Sequence, residues 1–154
     1  MPDLTIRPGD LDDPRICDLI RTHVTLAAME TAPGSSHALD VSGLRAPEVD
    51  FWAGWLGDRP VGIGALKRLG DGQGEIKSMY VAPEARRTGA GGIMLRHIMA
   101  AARGYGLTRL SLETGSWAYF QPAWGLYRAH GFVECPPFGD YWLDPNSLFM
   151  TLEL

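Results

Sequence analysis

Hydrophobic and polar positions along the chain change period several times, and each change marks an element. Leu4 to Arg7 alternates briefly and is halted by Pro8 and Gly9, which predicts a first strand. Asp12, Asp13 and Pro14 then supply cap residues and a proline suited to a first helical turn. Behind them Ile16, Leu19, Ile20, Val24 and Leu26 to Met29 recur at helical spacing, predicting a helix from about Pro14 to Glu30. Thr31 to Ser36 reads as a loop, and His37 to Leu44 as a short second helix stopped by Pro47. From Val49 the period becomes two. Asp50 to Leu56 is a strand, Gly57-Asp58 a tight turn, and Arg59 to Leu69 the returning strand, with Pro60, Gly62 and Gly64 predicting a bulge or close backbone approach.

The turn from Gly70 to Gly74 leads into EIKSMYV at Glu75 to Val81. Simple alternation there puts Ile76, Ser78 and Tyr80 on one side and Lys77, Met79 and Val81 on the other. Pro83 breaks the strand into a polar turn that ends in glycines. After them Leu95, Ile98, Met99 and Ala102 share a helical face, with Arg96, His97 and Arg103 turned away and Gly104 and Gly106 closing the helix. Leu107 to Thr114 alternates as a strand, and Pro122 opens a helix over Ala123 to His130, closed by Gly131 as a left-handed cap. Phe132 to Cys135 and Ser147 to Leu152 are the final strands, joined by the excursion Pro136 to Asn146. This order predicts an α/β, three-layer α/β/α domain around a mixed, mostly antiparallel sheet.

Composition narrows the partners. The 154 residues suit one domain, residues 1–154, with a single sizeable core. A net charge of −4 argues against nucleic acid or an anionic membrane as the main partner, since both require a basic surface. Cys17 and Cys135 form no C-x-x-C, and His23, His37, His97 and His130 are isolated, so no metal site is expected. The segment MPDLTIRPGD carries charges and prolines in place of an apolar signal core, and no apolar run reaches membrane-spanning length, so a cytoplasmic location is expected.

Chemistry concentrates in the glycine-rich turn. From Arg86 to Gly92 glycine occupies three of the last four positions and a helix follows at once, so backbone N–H groups there form an anion site suited to phosphate. The dinucleotide pattern G-x-G-x-x-G and the P-loop both fail here. The residues spell R-x-x-G-x-G, as Arg86, Gly89 and Gly91. One strand later Ala123 to Phe132 spells A-x-x-L-Y-x-x-x-G-F. Together these resemble the two recurring segments of the GCN5-related N-acetyltransferase (GNAT) family. H-A-L-D at His37, S-L-E-T-G at Ser111 and C-P-P-F-G-D-Y at Cys135 resemble a bacterial subgroup of it.

The resemblance implies an acetyl-CoA-dependent N-acetyltransferase that moves an acetyl group directly to the amine of a small molecule or amino acid, as a monomer or homodimer. A non-catalytic acyl-CoA binding or sensing module, and a protein lysine or N-terminal acetyltransferase, are the alternatives. It implies central parallel strands that splay apart around the pantetheine arm of the coenzyme. Met79, Tyr80 and Val81 would line that wedge, with the Val81 N–H donating to the acyl carbonyl. Arg86, Arg87, Thr88, Gly89, Ala90, Gly91 and Gly92 would hold the diphosphate, and Tyr127 would protonate the departing sulfur. A phenol, with an unperturbed pKa of ~10, is protonated at neutral pH as that donor must be. Glu75 and Glu113 are the two candidates for the base. The acceptor pocket would draw on His37, Trp52, Trp117 and Phe120, among a wider set that includes Asp40, Arg45, Trp55, Tyr119, Asp140 and Tyr141.

Overall fold

A computed structural model describes residues 3–154. In chain order the elements are β1 (Leu4–Pro8), α1 (Pro14–Met29), α2 (Val41–Leu44), β2 (Val49–Leu56), β3 (Arg59–Gly70), β4 (Gln73–Val81), α3 (Ala90–Gly104), β5 (Arg109–Gly115), α4 (Gln121–Ala129), β6 (Val133–Glu134) and β7 (Ser147–Glu153). The strands form one seven-stranded sheet ordered β1-β2-β3-β4-β5-β7-β6. Every neighbouring pair is antiparallel except β4 with β5, so the expected α/β architecture and mixed, mostly antiparallel sheet are present.

Two apolar clusters cover the two sides of the sheet. Leu66, Ile76, Leu110, Leu112 and Met150 pack under Met94, Leu95, Ile98 and Ala102 of α3, together with Tyr127 and Phe132. Ile63, Ala65, Phe51 and Ala53 pack under Ile16 and Ile20 of α1. Ala65 and Leu66 are adjacent in β3 yet belong to different clusters, as the two-residue period of a doubly covered strand requires. At the start of α1 the Asp13 carboxylate accepts from the Arg15 amide at 2.9 Å and Pro14 fixes the first turn, which is why the helix begins there.

Two expectations need correction. The second helix is only Val41–Leu44, because Asp40 is extended (φ −80°, ψ −178°) and its carboxylate accepts from the Gly43 amide at 2.8 Å. A cap at residue 40 leaves His37 to Leu39 in irregular backbone. Alternation through β4 also fails. Ala65 pairs with Lys77 while Ile63 pairs with Tyr80, so two residues of β4, Ser78 and Met79, oppose Gly64 alone. This is a bulge, and Ser78 takes φ 57° within it. One extra residue reverses the parity of everything beyond it. Ile76 and Met79 therefore face α3, and Tyr80 faces α1 with Lys77.

Gly64, opposite the bulge, lets α3 approach the sheet: an added Cβ would lie 2.8 Å from Met94 Cγ and 2.9 Å from Ile98 Cδ1. Gly64→Ala is expected to destabilise by about 1 kcal/mol, the low end for overpacking because Met94 is flexible. A melting curve should show Tm lower by roughly 2–4 °C for a chain of this size.

Candidate active site

Pairing between β4 and β5 runs only from Gln73 with Arg109 to Ile76 with Leu112. Beyond that β4 continues to Val81 and β5 to Gly115, so the two strands diverge into a wedge. The wedge opens into a cleft of about 640 Å³ lined by both strands, α1, the glycine turn and α4. Which way the strand amides point follows from their bonds. Ala82 N–H donates to Val61 O at 2.7 Å, on the β3 side. Successive amides in a strand point to opposite sides, so the Val81 N–H is directed at the wedge.

At the mouth of this wedge the chain makes a single 3-10 turn, Pro83–Ala85, and enters α3. Arg87 (φ 64°) and Gly89 (φ 85°) are both left-handed, and Thr88 Oγ1 donates to Ala85 O at 2.5 Å. Ile93 N–H is the first to close the helix, donating to Gly89 O at 3.1 Å. Among the described residues, the six amides from Arg87 to Gly92 have no acceptor within the protein. Free amides at the positive end of a 15-residue helix are suited to an anion. Arg86 Nε donates to Val81 O at 3.1 Å, tying the turn to β4, and its guanidinium lies 5.8 Å from the Tyr80 ring. Arg87 is exposed beside the same amides.

On the opposite wall stands Tyr127 of α4. Its ring is 6% exposed and meets Phe132 edge-on at 5.8 Å, while its hydroxyl has no hydrogen-bond partner among the described residues. Burial pushes the phenol well above its ordinary value, so it keeps its proton. Nearby, the Phe120 ring packs against the Gly115 backbone, leaving no room for a Cβ there, and Trp124 Nε1 donates to Gly115 O at 2.9 Å.

Further along the cleft lies a cluster of charged and polar groups. Glu75 is 3% exposed, and its Oε2 accepts from Tyr141 OH at 2.5 Å and Lys77 Nζ at 3.2 Å. Lys77 Nζ also donates to Tyr141 OH at 2.8 Å and His37 O at 3.1 Å. Burial, and then the Glu75 charge, raise the Tyr141 phenol. Glu113 Oε1 lies 3.2 Å from His37 Nδ1; burial raises its carboxyl and the His37 contact opposes the rise. Two more cleft-lining hydroxyls, Thr31 Oγ1 and Ser78 Oγ, are buried without partners.

The cleft gathers Met79, Tyr80, Val81, Arg86, Arg87, Gly89, Ala90, Gly91, Gly92, Glu113, Tyr127, His37 and Phe120, with Thr88 in the turn beside it. Glu75 sits behind Lys77 and Tyr141 and is not part of its surface. Trp52 lies outside: its register partner is Gly64, so it faces α3 and stacks edge-on with His97 at 5.0 Å. Trp117 is 41% exposed and donates from Nε1 to Asn146 Oδ1 at 3.1 Å, also outside the cleft. Asp40 caps α2, Arg45 pairs with Asp12 at 2.8 Å, and Trp55 is covered by Arg7 and Arg15. Lys77, Ser78, Thr31 and His23 were not legible as site residues. Only the spacing of Lys77 two positions after Glu75 hinted that both share a face.

His23 of α1 lines the cleft beside Tyr80, at a ring distance of 5.7 Å. Burial lowers its pKa from 6.5 to about 4. The folded state therefore binds fewer protons than the unfolded chain between these values, and stability falls as pH drops through that window. Urea midpoints measured from pH 7 to 4 should fall with pH. His23→Gln should fall less steeply, and an identical slope would remove His23 as the cause.

An anion cradle, a strand amide aimed into a wedge, a buried phenol and a polar cluster along one cleft are the parts that acyl transfer to an amine requires. Comparison with known proteins agrees. Residues 20–132 match the sequence profile of the Acetyltransferase (GNAT) family. The chain is 48% identical over 150 residues to the uncharacterized N-acetyltransferase YedL of Escherichia coli (strain K12), covering 97% of this chain and 94% of that protein. A crystal structure of a protein assigned as an acyl-CoA N-acyltransferase from Klebsiella pneumoniae subsp. pneumoniae superposes with a TM-score of 0.85 at 28% identity, over 100% of this chain and 99% of that one. A GNAT family acetyltransferase from Elizabethkingia anophelis with acetyl-CoA bound shares the fold with a TM-score of 0.71 at 18% identity, over 100% of both chains.

Proposed function

This chain belongs to the acetyltransferase (GNAT) family, and from that premise we propose that it moves an acetyl group from acetyl-CoA directly to the amine of a small molecule or amino acid. It is an N-acetyltransferase, and acetyl-CoA is its co-substrate. The observation that carries the reading is the run of six unpartnered amides from Arg87 to Gly92, at the mouth of a wedge into which the Val81 N–H points. Such a row of donors at a helix start matches the oxygens of a diphosphate, and Arg87 adds a charge beside it.

Acetyl-CoA brings the activated acetyl thioester; the chain's own groups do the rest. The Val81 N–H donates to the acyl carbonyl oxygen, where negative charge develops, and the low-dielectric walls strengthen that bond. Tyr127 holds a proton for the departing sulfur, kept in place by burial. Among the described residues no cysteine lines the cleft, and Cys17 Sγ donates to Leu11 O at 3.1 Å, which favours direct transfer over a covalent acyl-enzyme. His37, Glu113, Tyr119 and Phe120 in the cleft lining suit a small amine. Among the described residues no helix is long and apolar enough to cross a membrane.

Thiol release from acetyl-CoA, measured across a panel of amino acids, polyamines, 2-phenylethylamine and aminoglycosides, is the test. Turnover with a small amine is expected. Tight calorimetric binding of acetyl-CoA with no thiol release from any member would overturn the enzymatic reading.

A further inference from the structure

We propose that His37 is the base that takes the acceptor amine's proton through Nε2, and that Glu113 is the residue that positions it; this rests on the acetyltransferase reading above. His37 Nδ1 lies 3.2 Å from Glu113 Oε1. A carboxylate only accepts, so Nδ1 carries the hydrogen and Nε2 keeps its lone pair. The ring is held edge-on by Tyr141 at 5.0 Å and by Trp142 at 6.1 Å, and its backbone carbonyl is pinned by Lys77 Nζ at 3.1 Å. It lines the cleft, and Nε2 has no partner among the described residues. A base oriented through its far nitrogen by a half-buried carboxylate, with the near nitrogen free, is the arrangement that proton abstraction from a nucleophile requires.

Glu75 is placed differently. Its Oε2 already accepts from Lys77 and Tyr141, so protonating it would break a buried ion pair, and it does not reach the cleft surface. Glu75, Lys77 and Tyr141 form a brace that holds the segment carrying Tyr141 and Trp142 against β4. The charged and titratable groups around His37 are Glu113 from β5, Lys77 and Glu75 from β4, and Tyr141 and Asp144 from the segment before β7.

The amine lone pair forms the N–C bond and the C–S pair leaves with sulfur; one amine proton passes to His37 Nε2, and the sulfur receives the Tyr127 proton. His37 and Tyr127 then return to their starting states by proton exchange with water.

The test is the pH dependence of kcat/KM for thiol release, using the panel amine with the highest wild-type rate and calorimetry with acetyl-CoA as the check on folding. In wild type kcat/KM should fall along an acid limb as the base gains a proton. His37→Gln should lose about 100-fold or more at neutral pH, lose that limb and keep coenzyme affinity. Added imidazole should partly restore His37→Gly. Glu113→Gln should lower kcat with little change in KM or coenzyme affinity, because Nδ1 loses the carboxylate that fixes its hydrogen. Glu75→Gln should keep the limb while lowering Tm. A His37→Gln enzyme with the wild-type limb and rate, or a limb abolished by Glu75→Gln alone, would overturn the assignment to His37 and leave the acetyltransferase reading standing. No thiol release by wild type with any amine would overturn both.

Discussion

Tyr127→Phe is expected to lower kcat about 100-fold, the scale of a lost general acid, while leaving the affinity for acetyl-CoA unchanged. The substitution removes one oxygen and nothing else that the fold uses. The ring remains edge-on to Phe132 in the cluster under α3, and the hydroxyl has no partner among the described residues to abandon. Because burial raises the phenol, wild-type Tyr127 stays protonated across the assay range, so the defect should be the same at every pH where chemistry limits the rate. Single-turnover rates together with calorimetry separate the two quantities. A kcat close to wild type with normal affinity would mean that the sulfur takes its proton from elsewhere, such as water.

The second large effect is expected at Gly89. Its φ of 85° at the N-cap of α3 is a conformation that a β-branched residue rarely adopts. Valine there is strained by roughly 1–2 kcal/mol or more, and the turn relieves the strain by rotating peptides whose amides form the cradle. At 1.4 kcal/mol per tenfold, the Kd for acetyl-CoA should rise about 5- to 30-fold. No atom lies within 4 Å of a Cβ added at Gly89, so packing is not the cause. Gly104→Ala makes the control. That glycine is also open but not left-handed, and its variant should bind as wild type does. Equal affinities in Gly89→Val and wild type would show that the turn's conformation is immaterial to binding.

Much of the architecture could be read from the chain because the apolar period changes cleanly at each boundary. The two-residue period of β2 and β3 gave way to the helical period of α3, and Pro14, Pro122 and Gly131 marked the ends they mark in the fold. The glycine turn was legible for a local reason: three glycines at a strand-to-helix junction leave amides free whatever the rest of the molecule does. What failed depended on contacts distant in sequence. The bulge at Ser78 is set by Gly64 across the ladder and by the packing of α3 over it, and no feature of EIKSMYV itself announces it. Trp52 was an aromatic residue on a predicted strand, whereas Trp117 lies in the loop after β5. Which face a strand residue meets, however, depends on register, and register is a pairing between strands. Glu75 and Glu113 looked equivalent in sequence. Lys77 and Tyr141 separate them in space, one carboxylate braced and buried, the other beside a histidine at the cleft.

The most direct measurement of the central idea is an amide-resolved NMR titration with coenzyme A, run beside one with pantetheine, which lacks the diphosphate. Resonances of Arg87 to Gly92 should shift strongly with coenzyme A and little with pantetheine, while Val81 should respond to both. Saturable coenzyme A binding that left the amides of residues 87–92 unmoved would contradict the account.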